Sequence, residues 1–191
     1  MKIYLAGPDV FLPDAAAAGR LKKEVCARFG LEGLFPLDNE ITGESGPELS
    51  LRIFRSNLAM MEEADAVIAN LTPFRGPSAD PGTVFELGYM AGRGKYCVGY
   101  SNVIDTYLDR ALTLSTIRRE GERYVDDQGW TVEDFSLPDN LMIIHALNEF
   151  GHPLVVPRDP PSDLGRDLSA FEHCVRLVAE RNASLAKTSV R

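Results

Sequence analysis

The sequence has few cysteines and histidines, no excess of basic residues and no hydrophobic run long enough to cross a bilayer. A membrane-spanning helix needs about 20 consecutive apolar residues. The N-terminal segment KIYLA resembles a strand and lacks the charged and apolar regions of a secretion signal. We therefore expect a cytoplasmic protein that does not bind membranes. The net charge of −8 argues against a nucleic-acid partner, because a phosphate backbone requires a basic surface.

Motifs for metals and large cofactors are also missing. The three cysteines, Cys26, Cys97 and Cys174, are scattered, and the three histidines show no metal-ligand spacing with them or with one another. Free thiols are expected instead of disulfides or a zinc site. The first strand is followed by neither a G-x-G-x-x-G motif nor a Walker lysine motif. We expect no metal and no cofactor.

Strand-like and helix-like segments alternate along the chain. Its 191 residues and 45% hydrophobic content fit a single domain over residues 1–191, with a tail expected to fray after about Ala183. Predicted strands cover residues 2–6, 34–36, 66–71, 96–100 and 154–156. Predicted helices cover residues 14–29, 48–63, 83–93, 141–150 and 168–182. This order predicts an α/β fold with a doubly wound, mostly parallel sheet in a flavodoxin-like three-layer arrangement.

Two of these helices carry specific expectations. In the first, Leu21 and Val25 lie on the apolar face, and Lys22 is expected elsewhere. In the second, the apolar stripe includes Ile53 and also Asn57. The Asn57 amide either is satisfied by neighbouring backbone or points into a site, and both interpretations stay open. Residues 101–130 are weakly patterned and are expected to form a helix and a mobile, charged excursion.

The segment over residues 65–95 is the strongest candidate for a site. An apolar strand is followed by the loop TPFRGPSADPGT and at once by a helix, with Glu86 in its predicted first turn, six positions after Asp80. Sites in α/β proteins lie at this end of the strands. Backbone N–H groups at a helix start favour an ionised carboxylate, which a nucleophile requires. Spacing alone favours ordinary helix-start roles for both acids, but the glycine-rich loop favours a site.

Other polar groups are expected at the same edge of the sheet. Tyr4 lies near the end of the first strand, just before Gly7, and could reach Glu86. The cluster Asp38–Glu40 follows the second strand and faces the same way. From the residues alone, this is an acid-lined small-molecule pocket suited to glycosyl chemistry.

Four segments of the sequence carry a resemblance to a known family. IYLAGPDVF, FPLDNE, ADAVIANLTPFRGPSADPGTVFELGYMAGRGK and DFSLPDNLMI resemble the nucleoside 2-deoxyribosyltransferases, in order from Lys2 to about Met142. The resemblance implies an enzyme of nucleoside salvage that moves 2-deoxyribose from a deoxynucleoside to a free nucleobase. Glu86 would attack C1′ and hold a covalent deoxyribosyl ester, and a second base would then attack with net retention.

The resemblance also implies roles for other residues. Tyr4 would orient the nucleophile, and Asp80 would bind the sugar hydroxyls. Asn140 would reach the 5′ end of the sugar from a neighbouring subunit, which implies a homo-oligomer with shared active sites. Glu40 stands where better-known members carry a base-binding glutamine. The remaining residues assigned to substrate binding are Gly7, Asp9, Phe11, Asn57 and Gly82.

Departures from the family pattern leave several points open. Some members have an aspartate at the position of Asn57, proposed to handle the leaving-base proton, so that role would pass to Asp80, Glu40 or Asp9. The preference between purines and pyrimidines also stays open. Hydrolysis of deoxynucleosides is an alternative, as is a non-catalytic nucleoside-binding module.

A further alternative is hydrolysis of nucleoside 5′-monophosphates. In the phosphate-using relatives, a serine resembles the natural occupant of the position where this chain has Asp80. The Asp80 carboxylate would repel a phosphate by about 4 kcal/mol at ~4 Å and an effective dielectric of 20. That repulsion corresponds to about three orders of magnitude in affinity. The sequence therefore favours a nucleoside over a nucleoside monophosphate.

Overall fold

The computed structural model describes residues 1–39 and 41–188. The strands are β1 (Lys2–Ala6), β2 (Glu32–Leu34), β3 (Ala66–Asn70), β4 (Tyr96–Tyr100), β5 (Arg118–Glu120), β6 (Arg123–Val125) and β7 (Thr131–Val132). The helices are α1 (Ala15–Arg28), α2 (Pro47–Glu63), α3 (Pro81–Gly92), α4 (Tyr107–Leu114), α5 (Leu141–Phe150) and α6 (Ser169–Thr188), with a short 3-10 helix at Pro8–Phe11.

The central sheet is parallel, with strand order β2-β1-β3-β4. Every residue of β3 is buried, as expected for a parallel sheet covered on both faces. The register pairs Tyr4 with Val67 and Ala6 with Ala69, so β1 and β3 end at the same edge. Because α1 and α3 leave these neighbouring strands toward opposite faces, a crevice opens between the strand ends.

Two hydrophobic cores lie on the two faces of the sheet. Ile3 and Leu5 belong to the core that also contains buried residues of α1 and α6. Tyr4 and Ala6 point the other way, into the core with buried residues of α2, α3 and α5. Alternate residues of β1 thus serve opposite layers. The predicted three-layer α/β fold with a doubly wound parallel sheet is confirmed.

Several predicted boundaries shift for identifiable reasons. Strand β2 lies at Glu32–Leu34 instead of 34–36, because the Phe35 amide donates to Asp38 Oδ2 (2.8 Å) instead of to the sheet. The strand predicted at 154–156 is a single parallel bridge between Val155 and Tyr100. Helix α6 continues to Thr188, past its predicted end at 182. Residues 118–132, most of which belong to the segment expected to form a mobile excursion, form a small antiparallel sheet.

The predicted helix faces were partly wrong. Lys22 of α1 is buried (2% exposed), whereas Leu21 is 52% exposed. In α2 the buried residues are Met60 and Met61, and Ile53 is exposed. Within the described part of the chain, no helix combines the length and the hydropathy that crossing a membrane requires.

Candidate active site

Glu86 and Tyr4 form a hydrogen-bonded pair near the carboxyl ends of β1 and β3. The Tyr4 side chain is fully buried, and its hydroxyl donates to Glu86 Oε1 at 2.5 Å. The sequence predicted Glu86 in the first turn of helix α3. The helix begins at Pro81, however, so Glu86 lies in its second turn. The helix N-terminus therefore does not account for the state of this carboxyl, because that effect falls off within one turn.

Burial sets the proton affinity of Glu86. Loss of solvation raises its pKa from 4.5 to about 7. The hydrogen bond from Tyr4 lowers the pKa, and the negative charge of Asp80 raises it. Burial and the neighbouring carboxylate in turn raise the pKa of Tyr4, so Tyr4 remains a donor. The pair is a carboxyl that ionises near neutrality, held in one orientation by a phenol.

Asp80 is the N-cap of helix α3. Its Oδ2 accepts hydrogen bonds from the Thr83 backbone N–H (2.9 Å) and from Thr83 Oγ1 (3.0 Å). A Cβ on Gly82 would lie 3.0 Å from the same oxygen, so a larger residue there would crowd the carboxylate. Helix capping is an ordinary structural role for an aspartate. The negative charge of Asp80 also raises the pKa of Glu86.

The segment after β1 approaches the end of β3 closely. A Cβ on Gly7 would lie 2.4 Å from Asp9 Oδ2 and 2.8 Å from Asn70 Cβ, so the approach requires glycine. Asp9 is buried and pairs with Lys22 Nζ at 2.7 Å, while Asn70 Nδ2 donates to it at 3.0 Å. Burial lowers the pKa of Lys22, and the Asp9 carboxylate opposes this shift. A carboxylate held in this ion pair is poorly suited to protonate a leaving base.

A cavity of about 190 Å³ occupies the crevice between the ends of β1 and β3. Phe11 and Phe74 stack beside it, with ring centroids 5.2 Å apart, and the Arg75 guanidinium lies 4.6 Å from the Phe74 ring. The lining residues are Pro8, Asp9, Phe11, Leu12, Asn70, Thr72, Pro73, Phe74, Leu164 and Gly165. Sequence reasoning missed Phe74 and Asn70, although a polar residue at the end of a buried strand was an available signal.

Asn57 carries an unsatisfied polar atom. Its Oδ1 is buried and has no hydrogen-bond partner within residues 1–39 and 41–188. The interpretation that neighbouring backbone satisfies the amide therefore fails for this oxygen. Asn57 lies one turn after Phe54, whose ring is 6.0 Å from Phe85, the residue next to Glu86.

Asn140 lies away from Glu86 within the same chain. It caps helix α5, where its Oδ1 accepts from the Met142 N–H (3.0 Å) and its Nδ2 donates to Glu133 Oε1 (2.7 Å). Asn140 lines the groove between α5 and the face of α3 that includes Gly88. At about 100° per residue, Glu86 points to the opposite side of α3.

The remaining predicted residues add little to this geometry. Glu40 lies outside the described residues. Its neighbour Asn39 is exposed and donates to Ser56 Oγ at 2.8 Å. Among the described residues, no group of three or more His, Cys, Asp or Glu side chains is placed to hold a metal ion.

Comparisons with known proteins give the family of the chain. Residues 3–142 match the sequence profile of the nucleoside 2-deoxyribosyltransferases. The chain belongs to this family. The structure is similar to that of the 2-desoxiribosyltransferase from Leishmania mexicana, with a TM-score of 0.63 and 30% identity over 92% of this chain and 97% of that one.

Two further relatives are less informative about activity. A conserved protein from Enterococcus faecalis shares the fold, with a TM-score of 0.56 and 17% identity over 92% of this chain and 97% of that one. An uncharacterized protein of Schizosaccharomyces pombe is 41% identical over 103 residues, which are 52% of this chain. The matched segment spans 49% of that yeast protein.

Proposed function

We propose that this deoxyribosyltransferase-family protein transfers 2-deoxyribose between nucleobases through a deoxyribosyl ester of Glu86. The observation that carries the proposal is the Tyr4–Glu86 pair, in which a partly buried carboxyl with a pKa of about 7 lies near Asp80. Perturbed carboxyls of this kind cluster at catalytic sites. Tyr4 occupies Oε1, so Oε2 is the oxygen proposed to attack.

The reaction has two displacements at C1′. In the first, Glu86 Oε2 forms a bond to C1′ as the N-glycosidic bond breaks, and the bonding electron pair leaves with the base nitrogen, which takes up a proton from solvent water. In the second, a nitrogen of the acceptor base attacks C1′, the ester bond breaks, and the carboxylate is regenerated while the acceptor loses its proton. Two inversions give net retention.

The surrounding residues fit the parts of a nucleoside. Both hydrogen bonds at Asp80 use Oδ2, so its Oδ1 is the atom proposed to accept from a sugar hydroxyl. The unpaired Oδ1 of Asn57 is proposed to accept from an N–H of the base. Gly7, Asp9 and Phe11, which lie in or beside the crevice between β1 and β3, are proposed to complete the substrate site.

We also propose that the protein assembles into a homo-oligomer whose subunits share sites. Asn140 cannot reach Glu86 of its own chain across helix α3, but it borders an open groove of about 800 Å³ between α3 and α5. Met142 (71% exposed) and Phe150 (47%) lie in the same groove. Large exposed apolar side chains of this kind are typical of subunit interfaces.

Intact mass spectrometry combined with base analysis tests the activity. The protein is incubated with a deoxynucleoside, with and without an added purine or pyrimidine base. Transfer predicts a deoxyribosyl adduct that is lost in Glu86→Gln, together with a new nucleoside only when the acceptor is present. Base release at the same rate without acceptor would indicate a hydrolase. Neither adduct nor base release would leave only nucleoside binding.

Subunit complementation tests the shared site. Glu86→Gln and Asn140→Ala homo-oligomers should each be inactive or nearly so. Mixing them under subunit exchange should restore activity, because some interfaces combine an intact Glu86 with an intact Asn140. A monomer by light scattering, or mixtures no more active than their components, would contradict the proposed assembly.

A further inference from the structure

Arg110 is a buried arginine outside the set of residues expected at the site. Its side chain, from helix α4, is 8% exposed. Nε donates to the Pro77 carbonyl at 2.7 Å, one terminal nitrogen donates to the Pro138 carbonyl at 2.5 Å, and the other donates to the Asp105 carbonyl. The guanidinium also lies 3.9 Å from Asp139 Oδ2. One cation therefore joins three loops, and one of them is the β3–α3 loop that carries Asp80.

Asp139 connects this cation to the residues next to Asp80. Its side chain is 3% exposed. Oδ2 accepts from the Ala79 N–H at 2.9 Å, and Oδ1 accepts from the Asn140 N–H at 2.7 Å and from the Ser78 hydroxyl. The two residues that precede Asp80 are thus held by one carboxylate.

We propose that Arg110 and Asp139 are positioning residues that fix the sugar-binding orientation of Asp80. The proposal rests on the proposed function in one respect, namely that Asp80 binds the sugar. The pair touches neither Glu86 nor Tyr4 among the described contacts, so it acts through the loop. The same carboxylate also holds the backbone of Asn140, so one ion pair sets residues proposed to serve two different subunits' sites.

The physical reason is that the loop has few other constraints. Within the segment PFRGPSAD, one backbone–backbone hydrogen bond forms, from the Phe74 N–H to the Ser78 carbonyl (3.0 Å). Apart from the cap made by Asp80, the loop is held by Asp139, which binds Ser78 and Ala79. Asp139 in turn depends on Arg110, because a buried carboxylate needs a compensating charge. A carboxylate misplaced by about 1 Å can cost up to about a hundredfold in rate.

A double-mutant cycle with Asp80→Ala tests the proposal. Arg110→Met should lower kcat/KM for deoxynucleoside exchange by about tenfold to a hundredfold, with most of the change in KM. In the Asp80→Ala background the same substitution should change kcat/KM by less than about threefold, because the group it positions is already absent. Arg28→Met removes an exposed arginine paired with Glu172 and should have no effect in either background.

Two further measurements guard against a folding defect. Removal of Arg110 leaves a buried carboxylate unpaired, so Ser78→Ala is the milder variant and should show the same coupling to Asp80→Ala. Hydrogen exchange of residues 78–83 should be faster in both variants and unchanged in Arg28→Met. An equal loss of activity in the wild-type and Asp80→Ala backgrounds, or unchanged exchange at residues 78–83, would overturn the proposal. Faster loop exchange in a chain without transferase activity would instead contradict the proposed function.

Discussion

Replacement of Glu86 by glutamine should stabilise the protein while abolishing transfer. The Glu86 carboxyl has a pKa of about 7 in the fold, against an ordinary value of 4.5. At high pH the unfolded chain gains the full solvation of the anion, which the folded chain lacks. The difference corresponds to about 3 kcal/mol of stability lost by the wild type above pH 7. Glutamine is neutral, and its carbonyl can still accept from Tyr4.

The pH dependence gives this prediction its sign. Below pH 4.5 both states are protonated, and Glu86 has no effect on stability. As pH rises from 4.5 to 7, the unfolded chain releases the proton first, so wild-type stability falls. The advantage of Glu86→Gln should be about 3 kcal/mol at pH 8.5 and about 1 kcal/mol at pH 5.5. For a chain of this size, 3 kcal/mol raises the Tm by about 6–12 °C.

Urea unfolding of both proteins at the two pH values measures the effect. Glu62→Gln is a matched control, because Glu62 also accepts from a tyrosine hydroxyl, that of Tyr89. Hydrogen bonds from Tyr89 and Arg93 lower the pKa of Glu62, so this variant should not gain stability as pH rises. A Glu86→Gln variant that is no more stable than the wild type at pH 8.5 would refute the assignment of a partly buried, destabilised anion.

Three other substitutions have defined outcomes. Tyr4→Phe removes the hydrogen bond that lowers the pKa of Glu86, so the acidic limb of the kcat/KM profile should move to higher pH; an unmoved limb would contradict the coupling. Asp80→Ser should increase turnover of nucleoside 5′-monophosphates by up to about three orders of magnitude, measured as base release, because it removes a repulsion of about 4 kcal/mol at ~4 Å. Lys22→Met leaves the buried Asp9 unpaired and should lower the free energy of unfolding by about 3–5 kcal/mol in urea titrations, whereas a loss under 1 kcal/mol would show that the pair is solvated.

The sequence predicted best the elements whose ends are marked by strong local signals. Strands β1 and β4 and helix α5 lie at the predicted residues. Glycine and proline flank these segments, and their apolar content is high. Helix α3 begins at Pro81, two residues before the predicted start at Thr83, because Asp80 caps it and Pro81 occupies the first helical position, where proline is a known start signal. The later predicted start put Glu86 in the wrong turn.

The supporting charges of the site could not be predicted from the sequence. Lys22 and Arg110 lie in segments with other charged residues, and a charged residue in such a segment usually faces solvent. Their partners, Asp9 and Asp139, are 13 and 29 positions away in the chain. Only the folded chain shows that each cation neutralises a carboxylate beside a loop of the site. Periodicity identifies faces of helices, but it does not identify long-range ion pairs.

Burial of Glu86 has a direct consequence for the proposed reaction. The anion is destabilised by lost solvation, but the deoxyribosyl ester is neutral and does not carry that cost. Ester formation therefore relieves most of the penalty of about 3 kcal/mol that the free anion bears at high pH. The same burial that weakens the fold favours attack on C1′, and exclusion of water would protect the ester until a base arrives. The initial rate of adduct formation in intact mass spectra should thus rise with pH through about 7, because only the ionised carboxylate attacks C1′, and a rate that falls over this range would contradict the argument.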